Sequence, residues 1–163
     1  MTSDTHDVRW LTSEQQHAWR AYLVGTTLLM DRLDRDLRAS HDISLPEYEV
    51  LVRLSESAEH RVRMATLADS LSHSRSRVTH TVSRLERAGL VERVACTSDG
   101  RGVEAVLTEK GWTLLQEAAP LHVRSVREYL VDLADEDDFA AVGRVFDVVT
   151  DKLVASNPAA DIR

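Results

Sequence analysis

The hydrophobic pattern between residues 62 and 108 changes from helical spacing to strand spacing. Two short helices come first, and the apolar side chains that would form the core between them are Leu67, Ala68, Leu71, Val78, Val82 and Leu85. Residues 90–94 and 103–107 then alternate with a period of two, which indicates strands. Two helices followed by a strand, a turn and a returning strand predict a winged helix-turn-helix.

The second helix of this pair has a defined start, end and outer face. Ser74 stands at the N-cap position, where its hydroxyl can accept hydrogen bonds from backbone amides of the first turn. Gly89 suits the left-handed conformation that closes many helices. The face opposite the apolar stripe is polar and basic, which suits the major groove of duplex DNA. The candidate DNA contacts on this helix are Ser74, Arg75, Ser76, Arg77, Thr79, His80 and Arg84.

Two segments resemble the MarR family of winged-helix transcription regulators: SRSRVTHTVSRLERAGLVER, and the turn SDGRG followed by VLTEKG. With the flanking helices, the resemblance covers nearly the whole chain. In that family the wing carries an Asp-x-Arg element, matched here by Asp99 and Arg101. The resemblance implies that Arg101 reaches into the minor groove and that Asp99 holds the wing through a salt bridge. Glu104 and Ala105 follow where many members have another basic residue, so this wing should grip phosphate less strongly.

Amphipathic helices are also predicted before the winged region. Thr12 and Gln15 have the spacing of a capping box, which opens a long first helix that ends near Ser40. Ser44 and Glu47 form a second box at the start of the next helix. This next helix should pack behind the DNA-binding helices.

Two more helices are predicted after the wing. Thr108 caps a fifth helix that contains Pro120, and Asp135 opens the last helix. The last helix carries an apolar stripe, made of Phe139, Val142, Val145, Phe146, Val149 and Leu153. The predicted fold is therefore mainly α with a small β-wing, a winged helix-turn-helix flanked by N- and C-terminal helices.

The first, fifth and last helices carry more apolar surface than a winged helix needs, and a second copy of the chain would bury it. We therefore predict a homodimer. In this single MarR-like chain of residues 1–163, residues 62–108 would bind DNA, and residues 8–40 and 109–155 would dimerise. The resemblance implies the same interface, with Trp10, Leu11 and the last helix in it. The open alternative is a monomer whose long helices enlarge its own core.

The charge distribution agrees with this division. The net charge of −7 argues against indiscriminate binding to nucleic acid. Residues 62–108 nevertheless hold seven arginines against five acidic residues, whereas the rest of the chain is acidic. No signal-peptide pattern and no apolar run near the ~18 residues that span a bilayer is present, so we expect a soluble, cytoplasmic protein.

The sequence gives little indication of catalytic or metal chemistry. The seven histidines are scattered without the spacing of metal ligands. A nucleophile elbow, a glycine-rich phosphate loop and an HExxH motif are missing, so we expect no enzyme, no cofactor and no metal. Cys96 is the single cysteine, which excludes an intrachain disulfide. Its position at the base of the wing leaves open a role as a redox sensor.

The sequence therefore favours a sequence-specific, DNA-binding transcriptional regulator, in the form of a ligand-responsive repressor that binds a near-palindromic operator as a homodimer. Ligand response is implied by the resemblance alone, which places a small-molecule site where the first, second and fifth helices meet. The candidate lining residues there are His41, Tyr48 and Trp112. The alternative is a winged-helix protein-interaction module without an operator. The arginines of the recognition helix argue against it, because an ordinary protein interface would not require them.

Overall fold

The computed structural model describes residues 8–71, 73–96 and 102–155. Within these ranges the chain forms six α-helices: α1 (Ser13–His41), α2 (Leu45–Glu56), α3 (Met64–Ser70), α4 (Arg75–Arg87), α5 (Glu109–Tyr129) and α6 (Glu136–Val154). The strands of the same ranges are β1 (Arg61–Arg63), β2 (Val91–Ala95) and β3 (Val103–Leu107). The predicted mainly-α fold with a small wing is confirmed.

Two capping boxes set the starts of α1 and α2, as the sequence predicts. The backbone amide of Gln15 donates to Thr12 Oγ1 at 3.2 Å, and the amide of Thr12 donates to Gln15 Oε1 at 2.9 Å. At α2 the amide of Ser44 donates to Glu47 Oε2 at 2.7 Å, and the amide of Glu47 donates back to Ser44 Oγ at 3.3 Å. Two further predicted caps, Thr108 and Asp135, are also present, and they open α5 and α6.

The small sheet contains a strand that the sequence pattern missed. Its order is β1-β3-β2, with both pairs antiparallel, and Arg61 of β1 lies opposite Val106 of β3. Three residues are too few to show the alternation by which strands are recognised. The winged region therefore begins with a strand, and its first helix begins at Met64 rather than directly at residue 62.

The core lies between α2, the α3–α4 pair, the sheet and the first half of α5. Five of the six predicted core residues between α3 and α4 are buried. Leu71 is the exception, since it lies at the end of α3 and is half-buried. Leu51 and Leu54 of α2 have no exposed surface and fill the centre of this core. The winged helix is therefore packed around α2.

Two glycines shape the junction between α4, β2 and α5. Gly89 has a φ of 73°, in the left-handed region, and ends α4 as predicted. Gly111 allows α5 to approach the backbone just before β2 closely, because a Cβ at this position would overlap the carbonyl oxygen of Leu90. The start of α5 is thereby held directly against the wing.

The long helices are only partly covered by the rest of the chain. The C-terminal half of α1 packs along α5 and buries Leu33 and Leu37. Ser125 of α5 donates from its hydroxyl to Asp36 Oδ2 of α1 at 2.8 Å. The N-terminal half of α1 and the whole of α6 contain no buried residue. Among the described helices, none combines the length and apolar composition needed to cross a bilayer.

Candidate nucleic-acid interface and the cavity behind it

The first turn of α4 forms an exposed polar surface. Ser74 is the N-cap, and its Oγ accepts a hydrogen bond from the backbone amide of Arg77 at 3.3 Å. Arg75, Ser76 and Arg77 are all exposed. A helix N-terminus presents backbone amides and positive dipole charge, which favour phosphate oxygens. The sequence-predicted cap is confirmed, and the predicted first-turn contacts lie together on one surface.

A shallow cavity of about 320 Å³ extends this surface toward the base of the wing. Arg75 and Thr79 line it from α4, and Arg63 and Val103 line it from the sheet. His80, the residue after Thr79 in α4, is also exposed. Arg63 was missed by sequence reasoning, because it belongs to the short strand β1 that the pattern did not reveal. Its position makes it a further candidate for phosphate contact.

Arg84 differs from the other candidates on α4. Its Nε lies 3.0 Å from Oε1 of Glu47, a residue of α2 that is only 5% exposed. The predicted outer-face arginine keeps 45% of its side chain exposed, but its guanidinium is paired with a buried carboxylate and joins the recognition helix to α2. Helical periodicity could not show this pairing, since the two residues lie on different helices far apart in the sequence.

The predicted minor-groove contact and its supporting carboxylate, Arg101 and Asp99, lie outside the described residues. The base of the wing is described, and there the amide of Cys96 donates to the carbonyl of Gly102 at 2.9 Å. Cys96 is buried, with 3% of its surface exposed. Redox sensing requires an accessible thiolate, so this burial argues against the redox alternative.

A cavity of about 470 Å³ lies between α1, α2, α5 and the turn that precedes α4, a size typical of small-molecule sites. Much of its wall is apolar and is formed by Leu29, Met30, Leu33, Val52, Val126 and Leu130. Ser70, Leu71 and His73 close it on the side of the recognition helix. A molecule in this cavity would therefore touch the segment that leads into Ser74.

Two aromatic side chains meet in the wall of this cavity. The rings of Tyr48 and His122 lie with their centroids 4.6 Å apart. Burial raises the pKa of Tyr48 and lowers the pKa of His122, so both are neutral at pH 7. His122 Nδ1 is buried and has no hydrogen-bond partner among the described residues. The cavity thus contains a polar atom that the described part of the chain leaves unsatisfied.

The three residues predicted to line a ligand site are not brought together. Tyr48 lines the 470 Å³ cavity, whereas His41 lines a separate cavity of about 490 Å³ beside Arg84. Trp112 lines neither of the two and packs against His60, with the ring centroids 5.1 Å apart. The prediction of one site with these three residues is therefore corrected, because Trp112 lies about three to five helical turns before His122, Val126 and Leu130, which face the cavity.

His122, Glu49 and His73 were missed as cavity residues. One signal was available for His122, which lies four residues after Ala118 and three before Ser125, both buried on one face of α5. Glu49 and His73 have no such signal. They meet because α2 packs against the turn between α3 and α4.

Electrostatics connect the cavity with the recognition helix. Burial raises the pKa of Glu49, and the positive charges of Arg77 and Arg53 act in the opposite direction. Burial also lowers the pKa of His73, and the charge of Arg77 lowers it further. The guanidinium of a candidate DNA contact is therefore close enough to influence two ionisable residues of the cavity wall. Across the described ranges, three or more His, Cys, Asp or Glu side chains are nowhere grouped as metal ligands.

Comparison with known proteins agrees with this architecture. The sequence model of the MarR family matches residues 43–103. AbsC, a MarR family regulator from Streptomyces coelicolor, is 40% identical, with 91% of this chain and 99% of AbsC covered and a TM-score of 0.85. Sco3205 from the same organism, solved in complex with DNA, is 40% identical over 91% of this chain and 92% of its own, with a TM-score of 0.87.

A more distant sequence relative is the transcriptional regulator PecS of Dickeya dadantii (strain 3937). It is 28% identical over 131 residues, which cover 76% of this chain and 79% of PecS. These relatives are transcriptional regulators, in agreement with the expectation that the chain is not an enzyme. In both structures the identity of 40% extends over 91% of this chain. The chain belongs to the MarR family of transcriptional regulators.

Proposed function

We propose that this protein is a homodimeric, ligand-responsive repressor that binds a near-palindromic operator. The observation that carries the DNA-binding part is the exposed first turn of α4, where Arg75 and Arg77 flank Ser76 beside the capped helix N-terminus. Arginine at such a position can bind phosphate or guanine in a bidentate manner. The DNA complex of Sco3205, at 40% identity, supports duplex DNA as the partner.

The exposed apolar surface of the long helices supports the homodimer. The stripe of α6 is solvent-exposed along its length, and Tyr22 of α1 packs against Phe146 of α6 with ring centroids 5.4 Å apart. Trp10, just before α1, is 83% exposed. Monomeric proteins rarely leave such a continuous apolar face in water. A monomer that used these helices for its own core would bury the stripe of α6, which contains no buried residue.

The dimer face consists of α6, the N-terminal half of α1 and the end of α5. The first half of α5 belongs instead to the core of the winged helix, because Leu115 and Ala118 are buried there. A two-fold axis through this face would present two copies of α4 to half-sites about 34 to 36 Å apart. The operator should therefore be close to palindromic.

The cavity behind α4 supports ligand response. Its wall includes helices of the dimer face, α1 and α5, and the turn that carries Leu71 and His73 into the recognition helix. A bound molecule would thus contact both the element that sets the spacing of the two α4 helices and the element that begins α4. A few kcal/mol of differential affinity between two spacings is sufficient to shift the population away from the DNA-bound form.

The test is a titration of the full-length protein with its own upstream DNA and with a scrambled duplex of equal length, at several salt concentrations. We expect saturable preference for the upstream DNA, and an affinity that falls steeply with salt because each neutralised phosphate contributes a log–log slope of about −0.9. An Arg35→Ala variant is titrated in parallel as the control. It should keep the preference and the salt dependence, since Arg35 is exposed on α1, outside the winged region, and pairs with Asp31. Equal, weak binding to both duplexes would show that the upstream DNA contains no operator. A genome-wide binding search would then distinguish a distant operator from the protein-interaction alternative.

A further inference from the structure

The cavity behind α4 carries more negative than positive side chains. Its charged lining residues are two carboxylates and one guanidinium, from Glu49, Glu56 and Arg53. Arg53 is already paired, because its Nη1 lies 3.4 Å from Oε2 of Glu56. Glu49 makes no ion pair and no hydrogen bond with any residue in the described part of the chain. The half-buried carboxylate of Glu49 is therefore the unmatched charge of this cavity.

Among the described lining residues, the one cation is Arg53; it attracts Glu49, but its guanidinium is paired with Glu56. His73 and His122 are held neutral by burial, and Tyr48 carries no charge at pH 7. Arg77 acts on Glu49 from α4, but its side chain is exposed and does not line the cavity, so water and salt screen it. A partly desolvated carboxylate without a close partner is unfavourable, and a bound cation would remove that penalty.

The remaining wall favours an apolar body. Leu29, Met30 and Leu33 of α1 line the cavity together with Val126 of α5 and Leu130 at the C-cap of α5. The unsatisfied Nδ1 of His122 adds a second polar group. A neutral imidazole has one acceptor nitrogen, so an N–H group of a ligand could satisfy it.

We infer that the effector of this cavity is a lipophilic cation, with an ammonium or amidinium group beside Glu49 and an aromatic or aliphatic body among the leucine, methionine and valine side chains. This inference rests on the proposed ligand response and specifies the chemical class of its ligand. The bound cation and the guanidinium of Arg77 are both attracted to Glu49. Binding of the ligand therefore changes the electrostatic surroundings of a residue in the DNA-contacting turn.

The experiment is calorimetric titration of the full-length protein with three ligands of nearly equal shape: 2-naphthylmethylammonium, 2-naphthalenemethanol and 2-naphthoate. At about pH 7.5 the first is a cation, the second is neutral and the third is an anion. We expect the cation to bind at least about tenfold more tightly than the alcohol, and the naphthoate to bind most weakly.

Two variants locate the preference. Glu49→Gln should reduce the affinity for the cation to that for the alcohol and leave the alcohol unchanged. Glu59→Gln is the matched control, since the Glu59 side chain is 78% exposed and does not line the cavity, and it should keep the preference. Thermal unfolding of both variants checks that they fold.

Tightest binding of the naphthoate, equal binding of all three ligands, or no binding of any would overturn the inference. Operator binding without ligand is measured on the same samples. If specific DNA binding is intact and the cation is not preferred, only the ligand class is wrong. If specific DNA binding is missing, the proposed function itself fails.

Discussion

Arg84 Nε lies 3.0 Å from Oε1 of Glu47, and this ion pair joins the recognition helix α4 to the start of α2. The same carboxylate accepts hydrogen bonds from the amide and the hydroxyl of Ser44, at 2.7 Å and 2.6 Å, through Oε2. Glu47 therefore caps one helix and holds another. The position of α4 relative to the core depends on a residue that helical periodicity assigns to the DNA face.

Arg84→Ala should lower the free energy of unfolding by about 1 to 3 kcal/mol, because the buried carboxylate of Glu47 loses a charged donor. Urea denaturation measures this change. Arg35→Ala is the control and should change stability by less than about 0.5 kcal/mol, since its ion pair is exposed. Arg84 would instead be a phosphate contact if Arg84→Ala leaves the stability unchanged and reduces the slope of log affinity against log salt concentration by the value of one phosphate contact, about 0.9.

Arg77→Ala should change the sequence preference of DNA binding, at a cost of about 1 to 3 kcal/mol at one base position, if its guanidinium reads a base. His80→Ala tests the neighbouring turn of α4 in the same way. Competition assays with operators substituted at single positions measure the effect. An equal loss of affinity on all sequences would identify a phosphate contact.

Arg101→Ala should weaken binding on every sequence and reduce the salt slope by about one contact, because the wing arginine is predicted to enter the minor groove. Affinities measured over a range of salt concentrations give the slope. Arg127→Ala provides a comparison outside the winged region, since Arg127 lies in the last turn of α5. The prediction fails if both variants keep the slope of the unchanged protein.

Phe146→Asp should convert the dimer to monomers, because it places a charge in the apolar face shared by α6 and Tyr22. Sedimentation velocity measures the mass, and operator binding should weaken with the loss of the second recognition helix. Arg144→Asp introduces the same side chain on the opposite side of α6 and should remain dimeric. A monomeric mass for the unchanged protein at micromolar concentration would contradict the homodimer.

The contact between α1 and α5 should be sensitive to acid. Burial of Asp36 opposes its ionisation, but hydrogen bonds from Arg32 and Ser125 outweigh this effect, and the pKa of Asp36 is lowered. A carboxyl with a lowered pKa in the folded state contributes stability that is complete above its unfolded value, ~3.9, and is lost as the pH falls through the folded pKa.

Asp36→Asn should therefore be less stable than the unchanged protein at neutral pH and should lose less stability in acid. Urea midpoints between neutral pH and the acid limit of folding measure the difference. Asp31→Asn, at an exposed ion pair on the same helix, is the control. Parallel loss of stability in the unchanged protein and in Asp36→Asn would exclude this role for Asp36.

Gly111→Ala should destabilise the fold by about 1 to 3 kcal/mol, because the added Cβ overlaps the backbone carbonyl of Leu90 and either α5 or β2 must move. Gly143→Ala is the matched control in α6, where a Cβ meets no atom of its own chain within 4 Å, and it is compared under conditions in which both proteins have the same oligomeric state. It should stabilise its helix by up to about 1 kcal/mol. Thermal unfolding of both variants gives the comparison, and equal melting temperatures would refute the close approach.

Local features of this protein were determined by its sequence alone. The caps at Thr12, Ser44, Ser74 and Thr108, the glycine at the end of α4 and the two wing strands all occur as predicted. Each cap depends on contacts between residues within about four positions of each other, and each strand is recognised by its regular period. Both kinds of signal can be read from the sequence. The strand β1 was missed because its three residues are too short for a period and form a strand only by pairing with β3.

The contacts between distant side chains depend on how the helices pack in three dimensions. The tertiary structure pairs Arg84 with Glu47, separates His41 and Trp112 from Tyr48, and brings Glu49, His73 and His122 to one cavity. These encounters depend on how α1, α2 and α5 pack against the turn before α4. Periodicity predicts which face of each helix is buried. It does not predict which helix packs against that face, because this depends on where helices far apart in the sequence cross.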